Sequence, residues 1–213
     1  MLITFDIGGT SIKYGIFTLR KGQPVFVMQN EISSDARVLK GPGILQRVET
    51  LIAKAMQQQD IEGIAISTAG MVDAEKGCIQ YANDNIPEYT GLAFKQLLEA
   101  RFHMPCWVEN DVNAAALGET VFGAGRGAAH ALMLTIGTGI GAGVIQRGEF
   151  IGGAGHPEMG HYYVAQHPMD VEKEFKGVCP FHNGCLEGLA AGPSLEARTG
   201  IRGENIELNS SVW

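Results

Sequence analysis

Long apolar runs are missing from this chain. No window approaches the roughly 20 residues that a membrane-spanning helix needs, and the first strand-like segment, Leu2-Ile3-Thr4-Phe5, follows Met1 with no basic region before it. A soluble protein of the cytoplasm is the expectation. Positive charge is also scarce: 16 Lys and Arg stand against 23 Asp and Glu, a formal net charge of −7. That balance gives no broad attraction for nucleic acid or an anionic membrane, so any phosphate bound here must be met by local groups. Two common phosphate fingerprints are absent as well. The glycine-rich turns lead into strands rather than helices, which excludes the dinucleotide fingerprint, and no Gly-Lys-Ser/Thr follows them, which excludes a Walker loop. Cysteines number only four, with Cys78 and Cys106 isolated.

Apolar residues and glycine are plentiful. Hydrophobic residues fill 45% and charged ones 18% of 213 positions, enough for a sizeable core in one large or two small domains. Glycine, at 29 residues, clusters in loops at 8–9, 137–143, 152–155 and 184–192 and forms no low-complexity tract. Apolar patterning predicts strands over Leu2–Asp6, Ser11–Phe17, Val25–Ile32 and Gly63–Ser67, and an amphipathic helix over about Ile44–Gln58. The small-residue segment Thr68-Ala69-Gly70-Met71-Val72-Asp73 reads as either a cleft-lining loop or an ordinary turn. A polar loop, Asn83-Asp84-Asn85-Ile86-Pro87, precedes a helix at Leu92–Phe102.

The chain is organised around Val108-Glu109-Asn110-Asp111-Val112-Asn113. Cys106-Trp107-Val108 reads as a short buried strand and Ala114–Phe122 as a helix, so Asn110 and Asp111 fall on the junction. Side chains at the carboxyl end of such a strand project beside the sheet rather than into its core. There an amide can orient a hydroxyl while a carboxylate accepts its proton, the layout of a phosphotransferase acting on an alcohol. Asp111 as a plain helix cap is the alternative.

Two further devices recur. After the first strand, Gly8-Gly9-Thr10-Ser11 lets backbone N–H groups approach a phosphate closely, and Asp6 before it could hold magnesium through water. A tight hairpin turn would use the same residues. Leu132–Ile145 repeats the pattern, an apolar strand, Gly137-Thr138-Gly139, then another apolar strand, as in a duplicated nucleotide-binding half. Finally, Cys179, His182 and Cys185 follow a C-x2-H-x2-C spacing with His161 upstream. These are the four ligands of a closed zinc site, structural rather than catalytic, and His161 can offer its other ring nitrogen to a ligand. Free thiols beside a surface histidine are the alternative.

Asp6-Ile7-Gly8-Gly9-Thr10, Glu109 through Glu119, Ile136-Gly137-Thr138-Gly139-Ile140-Gly141 and Glu158-Met159-Gly160-His161 together resemble the ROK family of bacterial sugar kinases and sugar-responsive repressors, along essentially the whole chain. The resemblance implies an α/β fold of the actin-like ATPase (ribonuclease H-like) type. Its two lobes, 1–118 and 119–213, would enclose a central cleft where ATP and sugar meet. It implies Asp111 as the catalytic base, and Asn110, Glu158, His161 and Glu187 as binders of sugar hydroxyls. Asp6, Gly8, Gly9, Thr10, Lys13, Thr138 and Gly139 would line the nucleotide, with Mg2+ accompanying ATP and structural Zn2+ on His161, Cys179, His182 and Cys185.

Departures from the family pattern refine this. Many members carry Cys-x-Cys-Gly-x4-Cys and Ala-Gly-Glu where this chain has Cys179-Pro180-Phe181-His182 and His156-Pro157-Glu158. Those variants are similar to the zinc-containing fructokinases of the family, whereas the first-half motifs look more like its glucokinase or amino-sugar kinase branch. Family kinases also continue beyond the point where this chain reaches Ser210-Ser211-Val212-Trp213. An incomplete second lobe, weak adenine selectivity and pairing with a second copy as a homodimer are therefore expected. The expected function is ATP-dependent phosphorylation of a hexose, fructose before glucose or N-acetylmannosamine. A sugar- and zinc-binding fragment with little turnover stands beside it. The repressor branch is disfavoured, because its DNA-binding helices would precede the first strand.

Overall fold

The computed structural model describes residues 1–151, 158–207 and 209. The glycine cluster at 152–155, the His156-Pro157 variant and Trp213 lie outside the described residues. Two compact units are present, one of Met1–Gly127, the other of Ala128–Ile151 and the described residues from 158 onward.

In the first unit β1 (Leu2–Ile7), β2 (Ser11–Arg20) and β3 (Gln23–Ser33) form an antiparallel meander. β1 alternates buried Ile3, Phe5 and Ile7 with half-open neighbours, as a strand with one face on a core must. α1 (Ala36–Met56) then crosses over to β4 (Gly63–Thr68), which pairs parallel with β1. Ile44, Val48 and Ile52, four residues apart on α1, are fully buried against that sheet. A short hairpin, β5 (Met71–Asp73) and β6 (Cys78–Tyr81), and α2 (Phe94–Phe102) lead to β7 (Cys106–Asn110), parallel to β4. The sheet order is β3-β2-β1-β4-β7. α3 (Asp111–Phe122) follows β7 without an intervening loop.

Three expectations need correction. α1 starts at Ala36 rather than near Ile44, because two helical segments join across a kink at Lys40 (φ 58°), with Pro42 in the first turn of the second. β7 is not buried throughout: only one of its faces is covered, so Cys106 and Val108 are buried while Trp107, pointing to the opposite face, is 55% exposed. α3 begins at Asp111, three residues before the expected Ala114.

The second unit holds an antiparallel sheet in the order β10-β9-β8, from β8 (His130–Ile136), β9 (Ile140–Gln146) and β10 (Glu149–Phe150). A 3-10 turn (Met159–His161), α4 (Pro168–Glu172), α5 (Leu186–Ala190) and α6 (Gly192–Thr199) follow. The Arg198 guanidinium of α6 donates through Nε and Nη2 to Asp170 Oδ1 and Oδ2 of α4, both at 2.8 Å, and stacks 4.3 Å from the Phe175 ring centre. Among the described residues no helix is long and apolar enough to cross a membrane.

Candidate functional site

Three parallel strands of the first unit end at one level. Ile7 registers with Thr68 and Thr68 with Asn110, so the carboxyl ends of β1, β4 and β7 deliver Gly8-Gly9-Thr10, Ala69-Gly70 and Asp111 to the same end of the sheet. One register step back, Lys13, Asp6, Ser67 and Glu109 form a row across four strands. Asp6 and Lys13 are exposed, and the Ser67 hydroxyl donates to Asp6 Oδ1 at 3.1 Å. The first glycine turn is tied from behind by buried Ser34, whose N–H donates to the Thr10 carbonyl (2.9 Å) and whose hydroxyl donates to the Gly9 carbonyl (2.7 Å).

The helix cap turns out to be Asn110 and not Asp111. Asn110 Oδ1 accepts the N–H groups of Val112 (2.9 Å) and Asn113 (3.2 Å), two of the donors a helix start leaves unpaired. Its Nδ2 donates to the Gly70 carbonyl (3.0 Å) and to Asp111 Oδ1 (2.9 Å). Glu109 Oε1 completes the clamp, accepting the Asn110 N–H (2.9 Å) and Asn113 Nδ2 (3.0 Å). Asp111, whose Oδ1 also accepts the Val112 N–H at 2.9 Å, is half-buried in the first turn of α3. Burial pushes its carboxyl above the usual range, and the negative charge of Asp6 adds to the shift, while the Val112 N–H and the Asn110 amide pull it back. A carboxyl so raised accepts a proton more readily than a free aspartate once ionised.

Sequence reasoning gave no role to Ser34, Ser67 or Glu109. Glu109 lay within the motif and Ser67 at the end of the strand leading into the small-residue segment, so both carried a local signal. Ser34 carried none, because its partners are 24 and 25 residues away in the chain.

In the second unit His161 Nδ1, Cys179 Sγ, His182 Nδ1 and Cys185 Sγ all lie within 4.8 Å of one another. His161 Nδ1 stands 3.3 Å from His182 Nδ1, 3.7 Å from Cys179 Sγ and 3.7 Å from Cys185 Sγ, and Cys179 Sγ is 3.9 Å from His182 Nδ1. A tetrahedron built on Zn–N bonds of about 2.0–2.1 Å and Zn–S bonds of about 2.3 Å has edges of roughly 3.3 Å (N to N) and 3.6 Å (N to S). The four donors fit zinc, and Cys179 and Cys185 are free thiols. The His161 nitrogen turned to the cluster is Nδ1, which leaves Nε2 for another partner.

The remaining expected residues scatter around this cluster. Glu158 is exposed, with its carbonyl accepting the His161 N–H at 3.0 Å. Glu187 Oε2 accepts the Ile140 N–H at 2.9 Å, beside Thr138 and Gly139. Thus Asp6, Gly8, Gly9, Thr10, Lys13, Asn110 and Asp111 lie in the first unit, and Thr138, Gly139, Glu158, His161, Cys179, His182, Cys185 and Glu187 in the second.

A mixed-sheet unit with a glycine turn and a carboxylate at the ends of its parallel strands, plus a second glycine-turn hairpin, defines an α/β protein of the actin-like ATPase type. The chain belongs to the ROK family, whose sequence model matches residues 2–212. It is similar to a fructokinase from Streptococcus mutans, 50% identical over 159 residues, which cover 73% of this chain and 54% of the relative. Among solved structures it is similar to Lmo2764 from Listeria monocytogenes, a candidate N-acetylmannosamine kinase, with a TM-score of 0.75 and 26% identity over 97% of this chain and 67% of that one. A ROK glucokinase from Streptomyces griseus, in complex with glucose and AMPPNP, has a TM-score of 0.69 and 28% identity over 92% of this chain and 59% of that one. The chain spans about half the length of the curated relatives it matches.

Proposed function

We propose that this chain carries the sugar-phosphorylating chemistry of an ATP-dependent hexose kinase, with fructose as the favoured acceptor. The observation that carries this reading is Asp111, held at the first turn of α3 by Asn110 and Glu109 with its carboxyl shifted upward. The similarity to a fructokinase supports the choice of sugar. In the reaction the sugar hydroxyl oxygen forms a bond to the γ-phosphorus as the bond from that phosphorus to the β-γ bridging oxygen breaks. Asp111 takes the hydroxyl proton, and ADP leaves with the bridging oxygen. Magnesium accompanying ATP would neutralise phosphate charge, and Asp6 would hold it through water. Gly8, Gly9, Thr10, Thr138 and Gly139 would meet the phosphates, with Lys13 beside the first turn. Glu158, His161 and Glu187 would meet sugar hydroxyls. Asn110, with its amide committed to Gly70 and Asp111, would either orient the base or exchange those bonds for the sugar's. Zinc held by His161, Cys179, His182 and Cys185 would order the second unit. The protein would work in the cytoplasm, as a homodimer.

A coupled ADP-release assay across fructose, glucose, mannose and N-acetylmannosamine tests the reading, with turnover expected to be highest on fructose. Sugar-independent ATP hydrolysis, or no turnover with any of them, would count against it. A second reading rests on the chain's span of about half its relatives: a fragment that binds sugar and zinc and turns over slowly. Fructose binding by calorimetry without ADP release would favour it.

A further inference from the structure

The second glycine turn is gripped from outside its own hairpin. The Ile140 N–H donates to Glu187 Oε2 at 2.9 Å, and the Gly192 N–H donates to the Gly137 carbonyl at 2.8 Å. Gly160 packs so closely on the Ile140 carbonyl that any side chain at that position would collide with it. Gly139 leaves room for the carboxylate in the same way, since a Cβ there would stand 2.6 Å from Glu187 Oε2.

These gripping residues are neighbours of the metal donors. Gly160 immediately precedes His161, and Glu187 lies in the first turn of α5, two residues beyond Cys185. Cys185 itself caps α5, its sulfur accepting the Gly188 N–H at 3.5 Å, and the Leu186 N–H donates to the Tyr162 carbonyl at 2.9 Å. Whatever fixes His161 and Cys185 therefore fixes both sides of the grip on Gly137-Thr138-Gly139.

We propose that Glu187 is a positioning residue through which the histidine–cysteine cluster sets this turn, so that metal loading strengthens binding of a nucleotide's phosphates. The proposal rests on the phosphate role assigned above to Thr138 and Gly139. It gives Glu187 a task apart from any contact with sugar. A hydrogen bond to a carboxylate orders the turn before ligand arrives, and ordering done in advance is not charged against affinity.

The test uses the full chain, zinc-loaded or treated with a chelator, with Glu187→Ala and Glu187→Gln beside it. Backbone exchange at residues 138–140 and the Kd for AMPPNP are read together with zinc content. Glu187→Ala, keeping its zinc, should weaken AMPPNP about tenfold, the scale of one charge-assisted hydrogen bond near the lower end of its range, and should speed Ile140 exchange by a similar factor. Glu187→Gln, whose side-chain carbonyl still accepts the Ile140 N–H, should stay within about threefold of the parent on both readouts. Chelation, which releases both sides of the grip, should act at least as strongly as Glu187→Ala. Unchanged Ile140 exchange in zinc-replete Glu187→Ala, or after chelation, would overturn the proposal. Slowed exchange on zinc loading in a chain that binds no AMPPNP in any state would uphold the brace and sink the kinase reading instead.

Discussion

The chain uses one device twice and supports it in two ways. Gly8-Gly9-Thr10 joins β1 to β2, and Gly137-Thr138-Gly139 joins β8 to β9. The first sits on the middle strand of a five-stranded sheet, and its brace, Ser34, follows directly on β3 of the same meander and is fully buried. The second sits on a small sheet whose β8 is an edge. Its brace, Glu187, comes from 47 residues away, beside the metal donors. The first turn thus inherits its order from a hydrophobic core, and the second borrows it from a cluster of sulfur and nitrogen ligands.

Metal removal should separate the two most sharply. A structural zinc contributes on the order of 10 kcal/mol to the folding of small zinc peptides at neutral pH, so chelation should strip exchange protection from residues 161–191 while residues 1–127 keep theirs. Equal loss in both units would abolish the contrast. Because thiols must lose protons to bind, acidification should release the metal as well, which elemental analysis after dialysis at stepped pH can follow.

Next in size is Asp111→Asn. Loss of a general base costs about a hundred- to ten-thousand-fold in rate, and sugar affinity should stay within several-fold because the amide keeps the shape. Stability should move the other way. A carboxyl whose folded value is raised stabilises least once pH has climbed past that value, so at pH 7 the wild type bears the full cost of burying the charge. The variant should then melt a few degrees higher, the gain fading as pH falls from the raised folded value toward the ordinary aspartate value and gone below it. A variant that melts lower at pH 7 would show that the Asn110 and Val112 contacts outweigh the burial cost.

Asp170→Asn examines the second unit by its own clamp. Arg198 holds the Asp170 carboxyl below its usual range, so the pair stabilises above about pH 4, near the unfolded value, and that contribution drains away as pH falls through the folded value. Thermal melts should show a deficit of a few degrees at pH 7, narrowing in acid. A deficit independent of pH would make the role steric. Smallest is Ser34→Ala, which deletes the hydroxyl bond to Gly9 but leaves the backbone bond to Thr10 in place. About 1 kcal/mol is expected in urea melts, with the second turn's exchange unaffected.

What could be read from the sequence follows the same divide. The strands and glycine turns were legible because alternation and glycine are local signals, and so was the convergence of His161, Cys179, His182 and Cys185 into a group that could hold a metal. The start of α3 was missed because Asn110, Asp111 and Asn113 look like loop until Asn110 is known to capture the N–H groups of Val112 and Asn113. Pro42 and its flanking glycines likewise hid the first segment of α1. The task of Glu187 at Ile140 was illegible because it depends on a contact between distant segments, and no spacing rule reports that.

The edge strand of the second sheet has a practical consequence. Among the described residues β8 has a neighbour on one side only, and Leu132, Leu134 and Ile136 share a face on which each is at least 46% exposed. Unpaired backbone groups beside a row of large aliphatic side chains form a template for a strand of another chain. At the bench this means attraction between molecules that grows with concentration: light scattering should show a negative slope against dilution and turbidity on mild warming. A single Leu134→Lys, placing charge on that face, should restore clear solutions without touching either glycine turn.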